Sequence, residues 1–215
     1  SIGLVGSEMC IRDRELDNTM NNYTLRMIFP SCIHEYNFDE FDEKEIVDFC
    51  YQQKEINPEG QIKSNRGGWH SHFFNFSDDN IISHTLGRGF GKSIFTALNP
   101  QLKVDISYWI MINSPNSYNT SHTHPDAHFS GVLWVKAPEN SGKIKFDNPF
   151  CHTGYVEISS YLETVREKTG FHHAMTFNPE VGKMLTFPSS LRHEVGVNES
   201  KEDRIAISYN FHILN

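Results

Sequence analysis

The sequence predicts a mainly β fold in which a jelly-roll core follows N-terminal α-helices. Two features of the chain predict it. Beyond residue 102, short runs rich in β-branched and aromatic residues are separated by turns that contain Gly, Pro or Asn, which is typical of antiparallel strands. Before that point, apolar residues recur three and four positions apart, which is typical of helices. Many short strands can close into two facing sheets whose interior can hold a site.

The first twenty residues are expected to be non-native or disordered, and residues 21–215 to form one domain. Residues 1–14 resemble translated adapter sequence, and they lack the basic segment followed by an apolar segment that a secretory signal requires. A short native strand at the N-terminus is the alternative. The chain of 215 residues is long enough to bury one substantial core.

Strand and helix signals begin at residue 24. Residues 24–29 predict a strand that a Pro-Ser pair ends. Ile46, Phe49 and Cys50, with acidic residues ahead of them, predict a helix. Residues 80–98 predict a second helix, which its glycines make less regular.

The segment 64–71 contains a Gly-Gly pair directly before Trp69. Paired glycines permit a tight backbone turn, and such a turn would aim Trp69 inward or toward a ligand. A plain hairpin corner is the alternative.

The second half of the chain predicts a series of strands. Their periodicity and turns place them at residues 102–113, 129–135, 143–146, 182–187, 193–197 and 204–211. The Asn-Ser-Gly sequence at 140–142 predicts the turn before the third of these strands. Residues 156–168 predict a short helix inserted between strands.

Composition excludes several classes of protein. The formal net charge is −8 and no block of Lys or Arg occurs, so binding of nucleic acid through its phosphates is not expected. The four cysteines are far apart in the sequence, which argues against a disulfide framework and favours a reducing compartment. No apolar run approaches the roughly 18–20 residues of a membrane span. We therefore expect a soluble protein that acts on a small molecule or a polypeptide.

His122, His124 and Asp126 alternate in the sequence, and His193 follows 71 residues after His122. In an extended chain alternate side chains share one face, so two neighbouring metal ligands are preset. A third ligand from a distant strand would leave part of the metal shell open, as in non-haem Fe(II) oxygenases. Arg204, in a strand-like run, could then hold the carboxylate of an organic cosubstrate.

Four segments of the chain share a pattern with a known family. They are SNRGGWHS at 64–71, HTHP at 122–125 followed by SGV at 130–132, FPSSLRH at 187–193, and RIAISYN at 204–210. On these segments the chain from about Tyr23 onward resembles the 2OG-Fe(II) oxygenases of phages and marine bacteria. The resemblance implies the double-stranded β-helix (jelly-roll) fold of the cupin-like superfamily, Fe(II) as cofactor, and 2-oxoglutarate and O2 as cosubstrates. It also implies a cytoplasmic location, in a bacterial cell or a phage-infected host.

The resemblance further implies a dioxygenase, an oxidoreductase that hydroxylates a C–H bond of a small-molecule or peptidyl substrate and releases succinate and CO2. Its metal ligands would include His122 and His193. The general oxygenase motif has a carboxylate two residues after the first histidine, where this chain has His124. Either three histidines hold the iron, as the close family favours, or the register slips and Asp126 supplies the carboxylate. In the first case Asp126 could orient an imidazole.

Five residues are candidates for cosubstrate binding. Arg204 could form a bidentate pair with the distal carboxylate of 2-oxoglutarate. The other four candidates, on the same strand or on neighbouring ones, are Ser208, Asn210, Ser130 and Asn113. A surface ion pair between Arg204 and Glu202 or Asp203 is the alternative. The loops at 114–121 and 150–178 are the natural places for substrate selection.

Two other functions are consistent with these residues. A cupin-like metalloenzyme would use the histidines, with His128 as a spare ligand, but not 2-oxoglutarate. A non-catalytic jelly-roll binding or structural module would bind no metal at all.

Overall fold

The computed structural model describes residues 31–40, 42–99 and 101–214. Antiparallel strands dominate this part of the chain and form two sheets, so the predicted jelly-roll fold is confirmed. Helices precede the long strands, as predicted. The predictions for residues 1–20 and for a strand at 24–29 lie outside the described residues.

Regular elements account for most of the described chain. The helices are α1 (Glu43–Ile56), α2 (Ile81–Lys92), α3 (Ile94–Ala97), α4 (Cys151–Ser160) and α5 (Glu163–Thr169). The strands are β1 (His34–Asn37), β2 (Asn65–Arg66), β3 (Trp69–His70), β4 (Phe74–Asn75), β5 (Lys103–Asn113), β6 (Tyr118–His122), β7 (Phe129–Lys136), β8 (Ile144–Asp147), β9 (Ala174–Phe177), β10 (Lys183–Pro188), β11 (His193–Val195) and β12 (Arg204–Leu214). Every strand predicted in the second half of the chain is present, and β6 and β9 are additional.

The two sheets differ in size. The larger has the strand order β1-β10-β7-β12-β5-β3, with β4 also paired to β5, and the smaller has the order β2-β6-β11-β8-β9. The pairing of β5 with β12 is the longest and extends from Asn113 opposite Arg204 to Lys103 opposite Leu214. Apolar side chains of both sheets pack together in a core between them. The sheets therefore face each other.

Alternate residues of β5 point to opposite faces of the larger sheet, because the side chains of a strand have a period of two. Tyr108 and Ile110 are fully buried in the main core on the helical side. Trp109, Met111 and Asn113 line a cavity on the other side. One strand thus contributes both to the core and to the interior of the jelly roll.

Helices α1 and α2 contribute the other half of the main core. The side chain of Asp42 caps α1, and Asn80 caps α2 in a capping box with Ser83. Buried side chains such as Ile46 of α1 and Phe90 of α2 pack with those of the larger sheet. The helices therefore close one face of that sheet and leave the opposite face for a site.

Two predicted helices are divided in the structure. A serine lies at each break: Ser93 Oγ donates to the carbonyl oxygen of Gly89 at 2.7 Å, and Ser160 Oγ donates to that of Val156 at 2.7 Å. A serine bonded to the preceding turn competes with continued helix. The prediction of one helix over residues 156–168 is therefore wrong, since α4 and α5 occupy this region.

The segment 64–71 is not a hairpin. β2 pairs with β6 in the smaller sheet and β3 pairs with β5 in the larger, so the glycine turn crosses from one sheet to the other. Trp69 points inward, as predicted, and its Nε1 donates to the carbonyl oxygen of Asn57 at 2.9 Å. The predicted loop at 114–121 is also wrong in part, because β6 begins at Tyr118.

Two further predictions concern membranes and disulfides. In the part of the chain that the structure describes, no helix combines the length and apolar character needed to cross a membrane. Cys32 and Cys50 are free thiols, whereas Cys10 lies outside the described residues.

Gly131 of β7 is expected to tolerate no side chain. A Cβ placed there would collide with the carbonyl oxygen of Leu185 and with the ring of Tyr209. Tyr209 is fully buried, and its hydroxyl is hydrogen-bonded to Thr186 Oγ1 at 2.7 Å and to the Leu185 carbonyl at 2.8 Å, so the ring cannot easily move. We expect Gly131→Ala to lower the free energy of unfolding by about 1–3 kcal/mol, as overpacking typically does.

Gly91→Ala in α2 is the matched control, because a Cβ there would meet no atom within 4 Å. Alanine favours a helix interior over glycine by roughly 1 kcal/mol, so this variant should be unchanged or more stable. Thermal denaturation of the two variants and the parent protein measures the effect. Equal melting temperatures for Gly131→Ala and the parent would contradict the prediction.

Candidate metal and cosubstrate site

A cavity of about 480 Å³ lies on the face of the larger sheet that the helices leave free. Strands of the larger sheet form one wall, and β6 and β11 of the smaller sheet form another. Apolar side chains such as Val132, Trp134 and Phe187 line it together with polar and charged ones. This mixture is typical of a small-molecule site.

Three histidines meet at one end of this cavity. His122 at the end of β6 is directly opposite His193 at the start of β11, because the two strands pair. Their ring centroids are 4.4 Å apart, and the His124 ring lies 5.0 Å from that of His122 and 5.2 Å from that of His193. One ring nitrogen of each lies within 4.8 Å of those of the other two. Such a group could hold a metal ion.

Hydrogen bonds orient these rings. Nδ1 of His122 lies 2.7 Å from the carbonyl oxygen of Thr120, and Nδ1 of His193 lies 2.9 Å from that of Leu191. A carbonyl oxygen can only accept, so in both rings Nδ1 carries the proton and Nε2 keeps its lone pair. His124 makes a side-chain hydrogen bond with Asn210. Backbone partners of this kind are typical of histidines that bind metals.

The electrostatics of the group also suit a metal. Burial, together with a smaller effect of the nearby His122, lowers the pKa of His193 to about 3 and the pKa of His124 to about 4. Burial lowers the pKa of His122 as well. All three imidazoles are therefore neutral at pH 7, which is the form that coordinates a metal.

Asp126 does not join this group. The chain turns after His124, where the backbone N–H of Ala127 donates to the carbonyl oxygen of His124 at 3.2 Å. The alternation that holds for the two histidines therefore ends there, and Asp126 is exposed at the edge of the cavity. The spare candidate His128 is also exposed, and its Nδ1 accepts from the backbone N–H of Ile213 at 3.0 Å.

Arg204 lines the same cavity and is 2% exposed. Its Nη1 donates to the carbonyl oxygens of Ser141, of Gly142 at 3.1 Å and of Gly196 at 3.5 Å. Burial lowers its pKa to about 10, so it remains a cation at neutral pH. Among the described residues no carboxylate pairs with it. A buried cation without a counter-charge favours an anionic ligand.

The predicted alternative, a surface ion pair of Arg204, is wrong. Glu202 instead pairs with Lys136 at 3.1 Å, and Asp203 accepts from the hydroxyl of Tyr51 at 3.0 Å. Both acidic residues lie on the outside of the sheet end, whereas the guanidinium is buried.

The other cosubstrate candidates divide into two groups. Asn113, Ser208 and Asn210 line the cavity. Ser130 does not line it, because it is buried with its Oγ donating to Oδ1 of Asn210 at 2.7 Å. Ser130 therefore positions Asn210 instead of facing the cavity.

Sequence reasoning missed several polar residues of the cavity wall, among them His70 and Asn119. Neighbours on a strand point to opposite faces, so the inward position predicted for Trp69 already implied that His70 faces the other way. Asn119 accepts at Oδ1 from Nδ2 of Asn113 at 3.2 Å. Its position depends on β6, which was not predicted.

Known proteins resemble the chain in sequence over its second half and in fold over most of its length. Residues 107–210 match the model of a family described as "Putative 2OG-Fe(II) oxygenase". This segment contains all three clustered histidines and Arg204. A comparison with curated protein sequences found no match.

Three solved structures illustrate the likeness in fold. A prolyl-4-hydroxylase from Pseudomonas putida has 13% identity and a TM-score of 0.53, over 80% of this chain and 86% of that one. A prolyl hydroxylase from Trichoplax adhaerens, in complex with a hypoxia inducible factor peptide, has 12% identity and a TM-score of 0.57, over 85% and 83%. HygX from Streptomyces hygroscopicus, with nickel and 2-oxoglutarate bound, has 9% identity and a TM-score of 0.54, over 85% and 82%.

At these identities the solved structures support the fold, and the family model adds the activity class. The family match runs from within β5 to within β12 and so covers most of the strands that build the cavity. Residues 107–210, just under half of the chain, therefore match the 2OG-Fe(II) oxygenases, oxidoreductases that use Fe(II) with 2-oxoglutarate and O2 as cosubstrates.

Proposed function

We propose that the protein hydroxylates a C–H bond of a small-molecule or peptidyl substrate, with His122, His124 and His193 as iron ligands and Arg204 as the cosubstrate anchor. One observation carries the proposal. A cluster of neutral imidazoles and a buried guanidinium without a counter-charge line a single cavity. The imidazole cluster suits a divalent metal. A dicarboxylate suits both groups, because one carboxylate can bind the metal while the other pairs with the guanidinium.

The donor set of the cluster fits Fe(II). Three neutral nitrogen ligands on one side of an ion leave the remaining positions open, which the reaction requires. When bound, Fe(II) and 2-oxoglutarate supply the O2-dependent oxidation of a C–H bond, with release of succinate and CO2. The role of the histidines is to direct ring-nitrogen lone pairs at the metal position. In His122 and His193 the hydrogen bond between Nδ1 and a backbone carbonyl fixes the orientation of the ring.

The guanidinium of Arg204 is held in place by backbone carbonyls, so its remaining N–H groups are available for a carboxylate. Ser208 and Asn210 follow it on the same face of β12 and offer further hydrogen bonds. Val132, Trp134 and Phe187 exclude water from the wall of the site. A dry wall strengthens the pairing of opposite charges.

The two other functions considered from the sequence are less well supported. A metalloenzyme that does not use 2-oxoglutarate has no need of a buried, unneutralised Arg204. A module without metal has no need of three histidines within 4.8 Å of one another. Two of the similar solved structures are prolyl hydroxylases, one of them in complex with a peptide, and a cavity of about 480 Å³ suits a small substrate or a single side chain.

Loss of either paired histidine should abolish stoichiometric metal binding. We expect His122→Ala and His193→Ala to weaken binding of Fe(II), added anaerobically, by more than the roughly 10–100-fold that loss of an outer partner causes. Elemental analysis after desalting measures the bound iron. His128→Ala is the control, because His128 is exposed and outside the cluster. Full iron retention by both cluster variants would exclude the proposed ligands.

Arg204 should determine the affinity for 2-oxoglutarate. In an anaerobic titration of the Fe(II)-loaded protein, followed by the metal-to-ligand absorption band, we expect Arg204→Met to bind 2-oxoglutarate about 10- to 100-fold more weakly, the size of a charged hydrogen bond. The parent protein should prefer 2-oxoglutarate to 2-oxobutyrate, which lacks the distal carboxylate, and the variant should lose this preference. An unchanged preference in the variant would contradict the role of Arg204, while iron binding serves as the internal control.

Gly142 should be required for the position of Arg204. Its φ is +92°, and a Cβ there would collide with the carbonyl oxygen of Gly196 and lie 2.8 Å from Nη1 of Arg204. We expect Gly142→Ala to reduce both thermal stability and 2-oxoglutarate affinity. Gly170→Ala is the matched control, because its φ is +67° but a Cβ would meet nothing within 4 Å. If both variants lose the same stability and bind 2-oxoglutarate equally, crowding of Arg204 is not the cause.

A further inference from the structure

His70 is a buried histidine that neither the metal cluster nor the cosubstrate site uses. It is 3% exposed and lines the cavity, whereas its strand neighbour Trp69 lies in the main core. The backbone of β3 fixes this arrangement, because His70 pairs with Met111 of β5 and Trp69 with Ile112. His70 also lies outside the segment that matches the oxygenase family model.

The ring of His70 is fixed in one tautomer. Its Nδ1 lies 2.5 Å from the carbonyl oxygen of Ser71, which can only accept, so Nδ1 carries the proton and Nε2 is a bare acceptor. Ser71 is itself held by Ile110, through hydrogen bonds of 3.0 Å to the Ile110 carbonyl and 2.9 Å from the Ile110 N–H. Among the described residues no hydrogen bond occupies Nε2.

The aromatic neighbours of His70 relate it to the metal cluster. The His70 ring is parallel to Trp109 at a centroid distance of 5.7 Å, and Trp109 stacks on His124 at 5.7 Å. Trp109 therefore contacts both His70 and a candidate metal ligand. Phe73 contacts the edges of His70 and Trp109 at 6.0 and 5.2 Å, yet it is 51% exposed. It therefore offers apolar surface at the cavity.

The charge near His70 restricts the group that it can bind. Lys63 lines the same part of the cavity, and its charge acts on His70. Burial keeps the imidazole neutral by lowering its pKa. A cation would be repelled by Lys63, and an anion would be repelled by the lone pair of Nε2. A neutral N–H or O–H group suits the acceptor best.

We propose that His70 is a specificity-determining residue whose Nε2 accepts a hydrogen bond from an amide N–H or a hydroxyl of the substrate, while the body of the substrate lies against Phe73. The inference rests on the proposed function only for the statement that this ligand is the substrate of the oxygenase. The preferred substrate class is thus a neutral amide or alcohol with an apolar body.

Benzamide and N,N-dimethylbenzamide are a matched pair of probes for this subsite, because both have a flat apolar body and only the first has N–H donors. Binding is measured by NMR titration of the full-length protein labelled with 15N in histidine, with and without Ni(II) and 2-oxoglutarate. We expect benzamide to bind more tightly than the dimethyl compound by about 3- to 10-fold, the size of one neutral hydrogen bond. Benzamide alone should shift the Nε2 resonance of His70.

Two substitutions separate this role from a structural one. His70→Asn keeps a donor near the Ser71 carbonyl but places no atom at the position of Nε2, so it should bind both probes equally. His70→Gln extends a polar group to that position and should restore part of the preference for benzamide. Melting temperatures test whether both variants fold. If His70→Asn does not fold, the preference between the two probes and the shift of the Nε2 resonance in the parent protein still test the role of His70.

The outcomes distinguish this inference from the proposed function. Equal binding of the two probes by the parent protein, no binding of benzamide, or an unmoved Nε2 resonance would overturn the role of His70, even if iron and 2-oxoglutarate bind as expected. A preference for benzamide in a protein that binds no 2-oxoglutarate would support the subsite and count against the oxygenase proposal.

Discussion

The antiparallel pairing of β6 with β11 is the constraint on which the candidate site depends. It sets His122 opposite His193 although 71 residues separate them, and paired residues in such a ladder have Cα atoms only about 4.5–5.5 Å apart. His124 joins them just beyond the end of β6, where its backbone N–H donates to the carbonyl oxygen of Ser189 at 3.0 Å. The backbone therefore brings the three imidazoles together before any metal is considered.

The larger sheet supplies a rigid support for the other half of the site. Arg204 is the first residue of β12, which pairs with β5 along its whole length, and the opposite faces of both strands are buried in the main core. A change in the position of Arg204 would therefore disturb the most buried part of the molecule. Functional side chains placed on such elements keep their geometry better than side chains on loops.

The charge of the cavity differs from that of the chain. The whole chain carries a formal net charge of −8. Inside the cavity, by contrast, the buried Arg204 is positively charged and the histidine cluster is neutral. A divalent ion held by three neutral ligands retains its full charge, so a dianionic cosubstrate would be attracted from both ends. The lack of a carboxylate in the cluster is thus compatible with the proposed chemistry, since the cosubstrate supplies the missing negative charge.

The sequence by itself determined the features that depend on local periodicity. Alternation along a strand correctly placed Trp109, Met111 and Asn113 on one face of β5, and it placed Arg204, Ser208 and Asn210 on one face of β12. The same rule was wrong for Asp126, because the chain turns after His124, and it could not show that Ser130 would be covered by Asn210. Only the tertiary structure decided that β2 and β3 belong to different sheets, that β6 exists, and that His70 and Asn119 face the cavity. The physical reason is that strand pairing and register depend on contacts between distant segments, which no local pattern contains.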